Sequence, residues 1–144
     1  KSKNIPVIIV SQGLSDLYRE AIKKIGKMHD NIYFISNLFD FDENGKAVKY
    51  KGIIIHSHNK SKIDLKEFYF FDKIRNRKNV LLLGDGLEDV EMSKYLDSKN
   101  LIKIGFLNED VEENLESFKQ NFDAIVLNDG DMKFVNKIIK GVKS

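Results

Sequence analysis

Residues 80–89 read VLLLGDGLED, an apolar run of strand length that ends in a glycine-flanked turn. Asp85 and Asp89 follow, four positions apart, where a helix is expected to begin. The carboxyl end of a buried strand in an open α/β sheet faces the crevice that holds ligands, and a side chain one helical turn later can face it too. Carboxylate oxygens placed in this way suit a hard cation such as Mg2+ beside a phosphate. The alternative interpretation is structural: a strand, a turn built on the common Asp-Gly dipeptide, and an aspartate that caps a helix.

The composition excludes several classes of protein. The chain has 144 residues, 42% of them hydrophobic, which suits one domain with a real core. Its 24 basic and 22 acidic residues nearly balance, so charge gives no case for binding nucleic acid. Cysteine is absent, which excludes disulfides and thiolate metal sites and agrees with the cytoplasmic location that we expect. No apolar run approaches the roughly 20 residues of a membrane helix, so no membrane partner is expected.

Unbroken apolar runs alternate along the chain with stripes of apolar residues at helical spacing. The runs are typical of strands buried on both faces, and they lie at Val7–Val10, Ile32–Ile35, Val80–Leu83, Leu101–Ile104 and Ala124–Leu127. The stripes predict helices, which begin near Ser15, Asp64, Val90, Val111 and Phe134. The pattern therefore predicts an α/β fold, a doubly wound parallel sheet with right-handed crossovers.

One segment interrupts this alternation. The turn signal Asp42–Gly45 separates Phe39–Phe41 from the run Val48–Ile55. Two strand-like segments joined by so short a turn predict a β-hairpin, inserted after the second strand of the sheet.

Polar residues follow the first predicted strand. Ser11, Gln12 and Gly13 come directly after Val10 and before a predicted helix that Ser15 would cap. A hydroxyl beside the exposed N–H groups of a helix start can hold a phosphate group. The alternative is an ordinary strand-to-helix turn with a locally capping serine.

A lysine follows the hairpin. Lys60 offers a mobile positive charge that can neutralise phosphate and carboxylate groups, although taken alone its position favours an ordinary surface lysine. His56 and His58 lie nearby, but no further ligand set accompanies them, so a zinc site is not favoured. A serine hydrolase triad on Ser11 is also weak, because its turn is not a G-x-S-x-G elbow.

In chain order, these segments resemble the later motifs of the haloacid dehalogenase superfamily of phosphohydrolases, and more closely its cytosolic pyrimidine 5'-nucleotidase family. Residues 7–16 resemble the second motif, whose serine binds the phosphoryl group. Residues 36–45 are similar to the family's strand-and-hairpin segment, and residues 55–60 resemble the third motif with its lysine. Residues 82–92 resemble the acidic fourth motif, and residues 104–108 also look like a family segment.

The resemblance implies a Mg2+-dependent 5'-nucleotidase that hydrolyses nucleoside 5'-monophosphates, with a preference for pyrimidines. It assigns phosphate binding to Ser11, Gln12, Gly13 and Lys60, metal binding to Asp85, and catalysis to Lys60 and Asp89. Three positions depart from the family pattern. Gly86 and Glu88 stand where the fourth motif usually has Ser and Gly, and Gln12 replaces a small residue.

A larger departure is the absence of the family's first motif. That motif, an Asp-x-Asp pair that supplies the nucleophile, would lie before residue 1, as would the cap that selects the nucleoside. The resemblance therefore implies that residues 1–144 are the C-terminal part of a haloacid dehalogenase-like (Rossmannoid) phosphatase core domain with its central first strand missing. We expect the isolated chain to be inactive and to need the N-terminal segment of the same protein.

A different class of function stays open. A non-catalytic phosphate- or metal-binding module, such as a receiver-like domain, could share the doubly wound sheet, the acidic residues and the lysine. Receivers need two acidic residues after their first strand, and Lys3-Asn4-Ile5 offers none there; receivers also lack a hairpin like that at Asp42–Gly45. The sequence upstream of Lys1 separates the two readings, because only the enzyme requires an Asp-x-Asp after an apolar strand.

Overall fold

The structure, a computed structural model, describes residues 4–56, 59–95 and 97–142. Two predicted positions, His58 and Leu96, lie outside the described residues. The chain divides into two compact units, Lys1–Arg75 and Asn76–Ser144. Within the described ranges, every helix is too short or too polar to cross a membrane.

The first unit contains a parallel strand pair, a hairpin and short helical segments. Its elements are β1 (Val7–Leu14), α1 (Ser15–Ile25), β2 (Ile32–Asn37), β3 (Phe39–Phe41), β4 (Ala47–Tyr50), two 3-10 turns (Lys60–Lys62 and Leu65–Glu67) and α2 (Phe71–Ile74). β1 pairs with β2 in parallel, and β3 pairs with β4 in an antiparallel arrangement.

β1 continues past the predicted strand end at Val10. Ser11 pairs with Ser36 and Leu14 pairs with Asn37, so that Gln12 and Gly13 bulge out between two successive pairs. The polar residues that we expected in a turn therefore belong to the irregular end of a strand, a place where a bulge can redirect a side chain.

The hairpin is amphipathic. The ring of Phe39 lies 4.8 Å from that of Tyr50 on one face. On the other face, Asp40 lies within ion-pair distance of Lys49 and Lys51. The turn is closed by Asp42, whose carboxylate accepts hydrogen bonds from the N–H groups of Asn44 and Lys46. β4 ends at Tyr50, which is earlier than the predicted end at Ile55.

The prediction of one continuous helix after Asp64 is wrong. The structure has a 3-10 turn at Leu65–Glu67 and a single helical turn at Phe71–Ile74, separated by Phe68 in an extended conformation. The reason is the packing of the aromatic residues. Phe70 is 1% exposed and its ring stacks on that of Tyr33 at 4.7 Å, a burial that outweighs the helical spacing.

The core of the first unit forms around three residues that are distant in sequence. Ile35 of β2, Ile55 and Phe70 are buried together. Burying a side chain of this size contributes about 1.5–3 kcal/mol. Ile55 immediately precedes residues 56–60, the lysine segment that ends at Lys60, so the core anchors the start of this segment.

The second unit is a three-stranded parallel sheet with helices in its connections. Its elements are β5 (Asn79–Gly84), α3 (Leu87–Glu91), a 3-10 turn (Met92–Tyr95), β6 (Asn100–Leu107), α4 (Val111–Asn121), β7 (Ala124–Leu127) and α5 (Lys133–Gly141). The strand order is β5-β6-β7. Parallel pairing in both units confirms the α/β class, whereas a single doubly wound sheet with a missing central strand stays a prediction.

The core of the second unit requires a glycine on β6. Leu107, Phe118 and Phe122 are buried together, and the two phenyl rings stack at 5.0 Å. A Cβ atom at Gly105 would lie 2.8 Å from both rings. The bare backbone of this strand therefore lets α4 pack closely on the sheet.

Candidate functional site

Ser11 lies at the end of β1 in a small network of hydroxyl and amide groups. Its Oγ accepts a hydrogen bond from the N–H of Gly13 at 3.2 Å and lies 2.6 Å from Oη of Tyr18. The prediction that Ser15 caps α1 is wrong. Leu14 occupies the cap position, and the Ser15 hydroxyl instead bonds the Ser36 hydroxyl on β2.

Asn37 connects the end of β1 with the lysine segment. Its side-chain amide donates to the carbonyl oxygens of Gln12 at 2.6 Å and Ile55 at 3.0 Å, and its Oδ1 accepts from the N–H of Ile55 at 2.7 Å. Asn37 is 6% exposed, so water cannot replace these partners. One buried amide thus holds the backbone of two predicted phosphate-binding segments.

Lys60 begins the 3-10 turn Lys60–Lys62 and is half-buried. Its N–H donates to the His56 carbonyl at 3.1 Å. Asn59 fastens the same segment, because its Oδ1 accepts from the His56 N–H and its amide donates to the Ile54 carbonyl, both at 2.8 Å. The lysine therefore projects from a backbone that local hydrogen bonds define.

Asp89 faces back toward the loop that carries Asp85. Its Oδ2 accepts hydrogen bonds from the N–H groups of Asp85 at 3.0 Å and Gly86 at 3.2 Å, and Asp89 is 5% exposed. Asp85 is exposed. A Cβ atom at Gly84 would lie 2.6 Å from Cβ of Asp89, so the glycine provides the room for this arrangement. The buried carboxylate of Asp89 shapes the loop, and the carboxylate of Asp85 is exposed.

A cleft of about 470 Å3 opens beside Asp85 within the second unit. Loops after β5 and β6 line it, and its polar side chains are those of Asp85, Glu88, Asn108, Glu109, Asp110 and Asn114. All of these side chains offer oxygen atoms, which Mg2+ prefers. The donor chemistry at Asp85 therefore fits a hard cation, although no group of three or more His, Asp or Glu residues in the described part of the chain forms a closed metal site.

The structure groups the predicted residues within each unit. It brings Ser11 together with Gly13 in the first unit, and Asp85 with Asp89 in the second. Sequence reasoning missed the contact of Tyr18 with Ser11 and the linking role of Asn37. The available signal for Asn37 is a polar residue two positions after the apolar run Ile32–Ile35.

Comparisons with known proteins agree with the motif order. A family model described as pyrimidine 5'-nucleotidase (UMPH-1) matches residues 1–143. The 7-methylguanosine phosphate-specific 5'-nucleotidase B of Xenopus laevis is 42% identical over 141 residues, which cover 97% of this chain and 49% of that protein. The Homo sapiens 7-methylguanosine phosphate-specific 5'-nucleotidase is 34% identical over 140 residues, covering 96% of this chain and 47% of that protein.

A solved structure shows the same fold. The crystal structure of cytosolic 5'-nucleotidase IIIB bound to cytidine matches with a TM-score of 0.87 and 25% identity, covering 95% of this chain and 46% of that one. The chain spans about half the length of the curated relatives it matches. The family that the motifs predicted is confirmed, since its model matches nearly every residue: the chain belongs to the pyrimidine 5'-nucleotidase family.

Proposed function

We propose that the chain is part of a Mg2+-dependent 5'-nucleotidase that hydrolyses nucleoside 5'-monophosphates to nucleoside and phosphate. The family match over residues 1–143 carries this proposal. The curated relatives are about twice as long as the matched region. We therefore propose that another part of the same protein supplies the nucleophilic aspartate, and that the protein works in the cytoplasm, as the name of the solved relative suggests.

Ser11 and Lys60 are proposed to bind the phosphate group, and Asp85 is proposed to bind the metal ion. Ser11 lies toward the carboxyl end of β1, and Asp85 directly follows β5. In parallel α/β sheets, ligands bind outside the carboxyl ends of the strands. Lys60 follows Ile55 in a segment whose backbone Asn37 links to that of Gln12, the neighbour of Ser11.

Each residue has a defined task in this mechanism. The Ser11 hydroxyl and the N–H group of Gln12 bind the phosphate oxygens as negative charge develops on them, and Gly13 supports this site through its N–H bond to Ser11 Oγ. Lys60 neutralises charge on the phosphoryl group and on the attacking carboxylate. Asp89 positions the loop of Asp85 through its backbone bonds.

Asp85 would hold the Mg2+ ion, which when bound offsets charge on the phosphate. A nucleophilic aspartate outside this chain attacks phosphorus and forms an aspartyl-phosphate. A second aspartate outside this chain protonates the leaving ribose oxygen and then activates the water that releases phosphate.

The base preference needs its own measurement. The family resemblance predicts pyrimidine nucleotides, whereas the two curated relatives are named for 7-methylguanosine phosphate and the solved relative holds cytidine. Comparison of kcat/KM for cytidine and 7-methylguanosine 5'-monophosphates on the complete protein decides between them. Higher kcat/KM for the methylated purine would contradict the pyrimidine preference.

The proposal is tested by Asp85→Ala in the complete protein, with phosphate release followed across a Mg2+ titration. We expect a loss of kcat/KM beyond the roughly 10–100-fold typical of residues that only support a metal ligand. Glu112→Ala, an exposed acidic residue in the first turn of α4, is the matched control and should leave the titration unchanged. Full Mg2+ stimulation of the Asp85 variant would contradict the assignment.

The isolated 144-residue chain provides a second test. We expect no phosphatase activity from it, because the nucleophile is proposed to lie outside it. Mg2+-dependent turnover of a nucleoside monophosphate by these residues alone would refute that division of labour.

A further inference from the structure

The hydroxyl of Ser11 has a partner that the family resemblance does not assign. Oη of Tyr18, on the first turn of α1, lies 2.6 Å from Ser11 Oγ. The ring of Tyr18 is held in place, since it lies parallel to the ring of Phe34, with centroids 6.4 Å apart and an interplanar angle of 8°. Phe34 is buried in β2, so the phenol projects from a fixed support.

Gly13 makes the space for this contact. A Cβ atom at position 13 would lie 1.9 Å from Oη of Tyr18, so no other residue fits there without moving the phenol. The N–H of the same glycine donates to Ser11 Oγ at 3.2 Å. Gly13 thus contributes both an N–H group and the room that brings a second hydroxyl to Ser11.

The hydrogen-bonding capacity of Ser11 gives this contact its consequence. A serine hydroxyl has one O–H donor and two acceptor lone pairs. The Gly13 N–H uses one lone pair, and a Tyr18 O–H that donates uses the other. The Ser11 O–H is then free only to donate, which is the role that an anionic phosphate oxygen requires.

We propose that Tyr18 is a positioning residue that sets the Ser11 hydroxyl as a donor toward the phosphate group. This inference rests on the proposed function, because it gives Ser11 the phosphate as its partner. In this role Tyr18 acts only through its contact with Ser11, so loss of its hydroxyl should have no effect when the Ser11 hydroxyl is absent.

The test is a double-mutant cycle with Tyr18→Phe and Ser11→Ala in the complete protein. Tyr18→Phe keeps the ring on Phe34 and removes only the hydroxyl. The readouts are kcat/KM for the nucleoside monophosphate and the inhibition constant of inorganic phosphate. We expect Tyr18→Phe to weaken both by roughly 3- to 10-fold, the effect of one hydrogen bond, and to change neither once Ser11 is alanine.

The remaining outcomes overturn the proposal in distinguishable ways. An equal loss from Tyr18→Phe with and without Ser11 would mean that the phenol acts independently of the serine. A loss from Ser11→Ala, but none from Tyr18→Phe, would remove the positioning role and leave the proposed function intact. No loss from Ser11→Ala would overturn both the positioning role of Tyr18 and the phosphate-binding role of Ser11. Tyr69→Phe, at a residue 79% exposed, is the matched control, and thermal unfolding checks that every variant is folded.

Discussion

Replacing Asn37 by alanine should destabilise the protein markedly, because this one side chain supports two separate backbone segments. Within the described residues it donates to the carbonyls of Gln12 and Ile55 and accepts from the N–H of Ile55. Each intramolecular hydrogen bond contributes about 0.5–1.5 kcal/mol net. The free energy of unfolding should therefore fall by about 1.5–4.5 kcal/mol, the sum over these three bonds.

Two further variants separate the causes of that loss. Asn37→Asp keeps the acceptor for the Ile55 N–H but places a carboxylate against two carbonyl oxygens, so at neutral pH it should cost at least as much as alanine. Asn136→Ala, at an exposed position on α5, is the control for the loss of an asparagine and should not destabilise the protein.

Urea unfolding measures the change in free energy, and hydrogen exchange at the Ile55 amide reports on the specific bond. Both should change together in Asn37→Ala. A loss below about 0.5 kcal/mol, the lower end for a single hydrogen bond, with unchanged protection of Ile55, would refute the linking role assigned to Asn37.

Two predictions concern the second unit. Gly105→Ala should lower the free energy of unfolding by about 1–3 kcal/mol, because the added Cβ would lie 2.8 Å from the rings of Phe118 and Phe122. Gly141→Ala is the control, since the space around Gly141 is open, and it should not change that free energy in urea unfolding. Equal effects of the two substitutions would contradict the packing argument. The pKa of Asp131 lies below its usual range, chiefly because its carboxylate accepts a hydrogen bond from the Lys133 side chain and secondly because it accepts one from the Lys133 N–H. The contact therefore stabilises the fold at pH values above the ordinary aspartate pKa, and this stability is lost as the pH falls through the lowered pKa of Asp131. Lys133→Met should raise the pKa of Asp131 in an NMR titration, whereas Lys137→Met on the same helix should not; no change in the Lys133 variant would disprove the assigned cause.

Much of the fold was predictable, because unbroken apolar runs of strand length mark the strands of a parallel sheet. The runs Ile32–Ile35, Val80–Leu83 and Ala124–Leu127 all lie within strands. The extension of β1 to Leu14 was not predictable, because Ser11, Gln12 and Gly13 carry no apolar signal and their conformation depends on pairing with β2. The helix predicted after Asp64 failed because the apolar spacing of that segment fits a helix, whereas in the structure Phe70 is buried against Tyr33.

The candidate site also contains residues that the sequence could identify and residues that it could not. Ser11, Lys60, Asp85 and Asp89 could be named because their residue types follow strand-like or hairpin segments in a motif order. The side chains that support them could not be named from spacing. Tyr18 reaches Ser11 only because Gly13 is bare, and Asn37 reaches Ile55 across 18 positions of sequence.

The geometry of Asp89 has a consequence for how a ligand would be received. Its carboxylate accepts hydrogen bonds from the N–H groups of Asp85 and Gly86 just before α3, so the conformation of this loop is fixed as part of folding. Fixing a flexible residue costs about 1–2 kcal/mol of conformational entropy. If a ligand binds at Asp85, as proposed, these bonds have already ordered the loop, so its affinity is not reduced by the cost of that ordering.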